Sequence, residues 1–191
     1  GEIHGIAGVA GNGQRELAEA ITGLRRANSG RVLIRSKDMT NNTPRSIIEA
    51  GVSHIPEDRL GMGLAPNLNI TDNAIMKRYR CSDMCRGPIV DATRARTWTS
   101  GLVERFAVKT PNIRTAVRLL SGGNSQRLLL ARETSMEHKL VVAVHPTRGL
   151  DIGATEAVHS ILLRERESGV GTLLISEDLE ELIALCDRIS V

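Results

Sequence analysis

Aromatic side chains are nearly missing from this sequence. Tyr79, Trp98 and Phe106 make up 2% of its 191 residues. That scarcity argues against a nucleic-acid reader built on stacked aromatics. The core must be aliphatic, and 41% hydrophobic residues, mostly Leu, Ile and Val, are enough to bury one. Wholesale disorder is disfavoured by the same composition. Cysteine is scarce as well: Cys81, Cys85 and Cys186. An odd, thinly spread set does not make a disulfide framework and fits a reducing compartment. Cys81 and Cys85 could share one helix face, but a metal site needs two more ligands and no His is near in sequence. Free thiols are therefore expected. No apolar run approaches the ~20 residues that span a bilayer. A strong charge of one sign is also lacking. With 25 basic and 22 acidic residues the net charge is +3, which does not require a polyanionic partner.

What is present is an alternation of strands and helices, without internal repeats. Glu2 to Ala7 reads as a short strand that runs into Gly8-Val-Ala-Gly11-Asn-Gly13. Leu17, Ala20, Ile21 and Leu24 then follow helical spacing. Arg31 to Arg35 is a second strand, Pro44 to Ala50 a helix opening on Pro and closed by Gly51, and Val52 to Ile55 a third strand. From Asn67 to Leu120 strands give way to helical stretches, as in an inserted lobe. Ser121 to Asn124 opens a helix, and Leu140 to Val144 (LVVAV) is a buried strand. Ala154 to Ser168 is a helix with Val158, Ile161 and Leu162 inward and Gly169 as its stop. Thr172 to Ser176 is another buried strand. Strand, helix, strand over that length is a βαβ unit and implies a parallel sheet.

Three motifs carry chemistry. Gly8-x-x-Gly11-x-Gly13 between a strand and a helix is a phosphate-loop geometry, because glycines let backbone N–H groups turn toward an anion at a helix N-terminus. The full pattern, G-x-x-x-x-G-K-[ST], ends here in Gln14 and Arg15. The Lys that reaches the phosphates and the hydroxyl that ligates Mg²⁺ are both replaced. Leu120-Ser-Gly-Gly-Asn124 places N–H donors and a hydroxyl at a second helix start, where an ordinary Ser cap is the alternative. Leu140 to Val144, followed by His145-Pro146-Thr-Arg-Gly149-Leu-Asp151, is a buried strand ending in polar residues. A P-loop ATPase puts its Mg²⁺-linked Asp and a carboxylate base at such a strand end; the two positions are Val144 and His145 here.

With these residues the chain resembles the nucleotide-binding domain of an ABC transporter. LSGGN matches that family's signature. More narrowly, the chain resembles the second, degenerate domain of tandem ATPases that drive importers of sugars and nucleosides. The supporting stretches are Gly1 to Gly8, Gly11-Asn-Gly-Gln14, Ile55-Pro-Glu-Asp-Arg59 with Gly63-Leu64, Leu120 to Asn124, and Pro146 to Gly153. The absence of an Asp-Glu pair before Pro146, with Gln14 in the loop, leans toward the nucleoside branch served by lipoprotein binding proteins.

The resemblance implies an α/β fold: a P-loop NTPase (RecA-like) core from 1–66 and 121–191, with a mostly parallel sheet, and an inserted helical subdomain from 67–120. It implies head-to-tail pairing with a second nucleotide-binding domain, ATP and Mg²⁺ at the shared interface, and transmembrane permease subunits. A solute-binding protein is an indirect partner, and the place of work is the cytoplasmic face of the membrane. Carried over position by position, Gly8, Gly11, Asn12, Gly13, Gln14 and Arg15 form this domain's own phosphate loop. Glu57 stands in the place of the family's Gln. Leu120, Ser121, Gly122, Gly123 and Asn124 are the signature, aimed at the partner's γ-phosphate, and Asp151 lies in the loop that crosses the dimer. Val144 and His145 replace the metal-linked Asp and the base, and Glu177 replaces the switch His, so no catalytic residue is intact and no metal ligand is assigned. Arg15 can serve as a phosphate contact or as a plain surface residue. Glu177, which would repel a phosphate, is expected to face away or pair with an Arg. The domain would then complete its partner's ATP site and show little activity alone. Family members carry strands before and after the stretch seen here, one with an aromatic that stacks on adenine, so the chain is expected to be part of a longer protein. Two other classes share some of these features. Soluble ABC-type ATPases of DNA repair or translation keep intact catalytic residues and lack the Pro56 to Arg59 and Thr147 to Gly149 stretches. A non-catalytic P-loop interaction module would differ only in whether nucleotide occupies the interface.

Overall fold

In a computed structural model, residues 1–9 and 11–191 are described. Strands and helices run in the order β1 (Ile3–Ala7), α1 (Gln14–Ile21), β2 (Leu33–Ile34), β3 (Lys37–Asp38), α2 (Pro44–Glu49), β4 (Val52–Ile55), α3 (Ile70–Ile75), β5 (Cys85–Arg86), β6 (Ile89–Val90), α4 (Ala92–Arg105), α5 (Gly122–Thr134), β7 (Leu140–Val144), α6 (Ile152–Glu167), β8 (Gly171–Ser176), α7 (Leu179–Leu185) and β9 (Arg188–Ser190). Two compact units emerge. The first takes residues 1–56, 137–146 and 159–191; the second takes 57–136 and 147–158.

The first unit is built on a parallel sheet in the order β4-β7-β8-β1-β9. Ile3, Ile55, Val141, Val142, Leu174 and Ile175 are fully buried, as an aliphatic parallel sheet requires. Val144 pairs with Ile175 and Ala7 with Ser176, so β1, β7 and β8 end in register at one edge. Gly8, His145 and Glu177 therefore leave the sheet at its carboxyl end, the edge at which open α/β sheets place ligands.

The second unit is mainly helical. Ile70, Thr99, Val117 and Leu128 to Ala131 are fully buried. Asn73 is buried too, and its amide knits a loop to α3 by accepting from Ala65 N at 2.7 Å and donating to Ala65 O and Asn69 O at 3.0 Å. Arg132 donates to Gly63 O at 2.6 Å, and Lys77 and Arg132 together neutralise the buried Glu133.

Several elements differ from the sequence expectation. The first helix stops at Ile21, and its buried face is Ala18 and Glu19, while Leu17 and Leu24 are exposed. The apolar spacing ran past the end of a helix only 8 residues long. The strand expected at Arg31 to Arg35 shrinks to Leu33–Ile34 and turns back through Arg35 and Ser36, both at positive φ (51° and 63°) without the glycine such turns usually use. Between residues 67 and 120 strands do not vanish: β5 and β6 form a short hairpin. Cys85 lies on that hairpin, so it does not share a helix face with Cys81. All three thiols are free. No helix is long and apolar enough to cross a membrane among the described residues.

Candidate functional site

The phosphate-loop positions sit at the carboxyl edge of the first unit's sheet. Gly11 and Gly13 hold φ of 91° and 94°, which a residue with a Cβ adopts only under strain. Gly13 is the cap of α1 and offers no side chain to its free N–H groups. The next side chain fills the loop. Gln14 Nε2 donates to Val9 O at 2.9 Å, and Gln14 Oε1 accepts from Asn12 N at 3.1 Å. The same amide lies so close to Gly8 that a Cβ there would collide with it. Arg15 Nε donates along the helix to Glu19 at 2.7 Å, and Arg25 adds a second contact to Glu19 at 2.8 Å. Hydrogen bonds from Arg15 and then Arg25 hold the Glu19 carboxyl below its ordinary range.

Beside the loop, β7 ends in Val144, which is buried, and His145, which takes φ 45°. The His145 backbone N–H donates to Ile175 O at 2.8 Å. Its Nε2 lies 3.8 Å from Glu177 Oε1, so Glu177, expected to face away or pair with an Arg, has a partly exposed carboxylate whose near neighbour is an imidazole. Behind Glu177 a buried network holds the end of β8. Ser176 Oγ donates to Glu181 at 2.7 Å, and His159 Nε2 lies 3.1 Å from the other Glu181 oxygen. Sequence reasoning passed over Glu181 and His159, because nothing in their spacing ties them to the motif.

These residues do not suit Mg²⁺. Position 15 offers a guanidinium where a hydroxyl is needed, and position 144 a methyl surface where a carboxylate is needed. Among the described residues no cluster of three or more His, Cys, Asp or Glu side chains could hold a metal ion. A triphosphate would meet a loop whose Asn12 N–H is already taken by Gln14.

The signature positions lie in the second unit. Leu120 closes a short 3₁₀ turn by donating to Val117 O at 3.0 Å. Ser121 is exposed and caps the 13-residue α5; its Oγ accepts from Asn124 N at 3.4 Å and from Asn124 Nδ2 at 2.9 Å. Asn124 Oδ1 in turn accepts from Lys109 N at 2.7 Å. A Cβ on Gly123 would come within 3.0 Å of the Ala154 Cβ, and one on Gly122 would stand about 4.0 Å from an Arg59 nitrogen. Asp151 accepts from Ala154 N at 2.9 Å, so it caps the start of α6. Glu57 forms an ion pair with Arg148, and Arg59 donates to Arg148 O at 2.8 Å. Thus Glu57, Arg59, Arg148, Gly149, Asp151 and the signature glycines form one contiguous cluster. Burial pulls the Arg59 guanidinium below its ordinary value. The roles of Arg59 and Arg148 within that cluster were not assigned from sequence, although both lie in stretches that carried the resemblance.

A family profile described as "ABC transporter" matches residues 1–148. The chain is similar to a glucose import ATP-binding protein of Haloferax volcanii, with 46% identity over 193 residues, all of this chain and 35% of that protein. It is also similar to a guanosine import ATP-binding protein of Bacillus subtilis, with 42% identity over all of this chain and 38% of that protein. The chain thus spans well under half the length of these relatives. Among solved structures, it is similar to an ATP-binding cassette in a dimeric post-hydrolysis state bound to ADP and Pi, with TM-score 0.78, 21% identity, and coverage of 98% of this chain and 79% of that one. A nucleotide-free cassette from an ABC transporter gives TM-score 0.77 at 19% identity, covering 98% and 75%. These likenesses establish the P-loop NTPase fold, and with the profile and the relatives they make the chain an ATP-binding domain of the ABC transporter family.

Proposed function

We propose that this domain serves a tandem importer ATPase for sugars or nucleosides by completing its partner's ATP site. In this reading its core is 1–66 with 121–191, and 67–120 is the helical insert that faces the permease. Ser121 to Asn124 and Asp151 face ATP held by the partner domain's phosphate loop. Mg²⁺ is placed mainly at that partner site, and the domain's own loop turns over little or no ATP. The permease lies in the membrane, the domain pairs with its partner at the cytoplasmic face, and the solute-binding protein acts on the permease without touching this chain. The observation that carries the reading is an asymmetry. Ser121 caps an exposed helix start whose glycines pack against Ala154 and Asp151, with no side chain among the described residues bridging the turn's own backbone as Gln14 bridges the phosphate loop, whose strand end also lacks carboxylates. Relatives whose names state import of glucose and guanosine support the substrate class.

The test is ATP turnover by the chain alone, and by the chain mixed with its tandem partner domain, each with and without Ser121→Ala. The reading expects silence alone, and activity in the mixture that needs Ser121. Robust turnover by the chain alone would overturn it.

A further inference from the structure

We propose that Gln14 is a built-in competitor for the phosphate loop, closing it on itself so that an anion enters only when the amide leaves. This rests on reading residues 8–15 as a phosphate loop and adds a specific gate to it. Two hydrogen bonds span the loop in opposite senses. Asn12 N–H donates to Gln14 Oε1 at 3.1 Å, and Gln14 Nε2 donates to Val9 O at 2.9 Å. One amide group thus uses both its acceptor and its donor on the loop backbone. A carboxamide is one of the few side chains able to do so.

Its position matters as much as its bonds. The amide nitrogen would stand only 2.4 Å from a Cβ on Gly8, so it packs against the first glycine of the loop. By contrast, a Cβ on Gly11 or Gly13 would meet nothing within 4 Å among the described residues. Of the described glycines of the loop, Gly8 is the one against which Gln14 packs. A phosphate oxygen that is to accept from Asn12 N–H must displace Gln14 Oε1, since both seek the same hydrogen. When the amide swings out, Val9 O also loses a donor. The apparent affinity falls by the fraction of time the loop stands open. A Lys at this position would instead bring a cation to the anion and has no acceptor to take the Asn12 N–H.

The experiment measures binding of inorganic tripolyphosphate to the full chain by calorimetry, comparing wild type with Gln14→Ala and Gln14→Lys, each checked for an unchanged melting transition. Two neutral hydrogen bonds lost by the competitor correspond to about tenfold tighter binding for Gln14→Ala. Gln14→Lys should bind tighter still. Tripolyphosphate added to the Gln14→Ala chain should also shift the Asn12 amide resonance more than in wild type. If Gln14→Lys tightens binding while Gln14→Ala leaves it unchanged or weaker, the loop takes phosphate but Gln14 does not compete, and the proposal fails alone. If neither variant binds tripolyphosphate, the phosphate-loop reading fails and the proposal falls with it.

Discussion

The two glycine-bearing turns of this chain use glycine for different physical reasons. At the phosphate loop, Gly11 and Gly13 need their left-handed backbone, and a Cβ there would meet nothing within 4 Å among the described residues. At the signature, Gly122 and Gly123 have ordinary backbone, but a Cβ on Gly123 would press on the Ala154 Cβ at 3.0 Å, so a methyl group fits only if Ala154 gives way. The side chains differ in the same way. Gln14, Arg15 and Glu19 turn on their own loop and helix. Ser121 and Asp151 cap helix starts, and Asn124 ties the Ser121 hydroxyl to the Lys109 backbone. Glycine spacing thus records backbone shape, and the residues between the glycines record where side chains bond.

The largest effect that separates the two turns is expected at Ser121. If the signature completes a partner's site, Ser121→Ala removes one donor aimed at developing phosphate charge and lowers turnover of the mixed domains by about 10²-fold. The cap is lost as well, at roughly 1 kcal/mol of stability. Measuring turnover beside a urea melt separates the two losses. A variant that melts earlier but turns over normally would reduce Ser121 to a cap.

Next in size are the glycines themselves. Gly123→Val should destabilise the chain by roughly 1–3 kcal/mol through overpacking against Ala154. Gly13→Ala should cost about 1–2 kcal/mol through its φ of 94° alone. A D-alanine at position 13, installed by chemical ligation, should cost little, whereas D-alanine at position 123 should bring no comparable relief. Equal behaviour of the two positions in denaturant melts would erase the distinction.

How much of this was legible in the sequence follows from the same contrast. Val52–Ile55, Leu140–Val144, the Pro44 helix start and the Ser121 cap were read to within about a residue, because strong local signals coincide there: β-branched runs, Pro at a first turn, Ser before glycines. The β2–β3 hairpin was not legible, since Arg35 and Ser36 adopt positive φ without the glycine or asparagine that marks such a turn. The buried face of α1 was misplaced because Glu19 is buried only through two arginines that neutralise it, one of them beyond the helix. At the candidate site, residue identities announced the missing hydroxyl and carboxylates. That Gln14 lies across the loop, that Glu177 meets His145, and that Arg148 meets Glu57 are facts of side-chain direction, which spacing does not encode.

Glu19 offers the smallest and most local way to sharpen the comparison. Its carboxyl is held below the ordinary 4.5 by Arg15 and Arg25, so folding favours the ionised form. A depressed folded value means that this stabilisation is complete well above pH 4.5 and drains as the pH falls through 4.5 toward the lower folded value. Both guanidinium partners are at least half exposed, at 66% and 50%, so water and salt screen the pairing and its worth stays below about 1 kcal/mol. Urea melts of wild type and Glu19→Gln should therefore differ at pH 7 and draw together as the pH falls below 4.5. Salt should narrow the gap at pH 7, because screening acts on the exposed guanidinium groups. A gap that persists unchanged at pH 3 would show that Glu19 stabilises α1 by packing, and that the loop-side charges are not neutralised by the Arg15–Glu19–Arg25 cluster. Should the gap close with pH, the Arg15–Glu19–Arg25 pairing is electrostatic, and it is the charge on Glu19 that ties Arg15 Nε to its own helix.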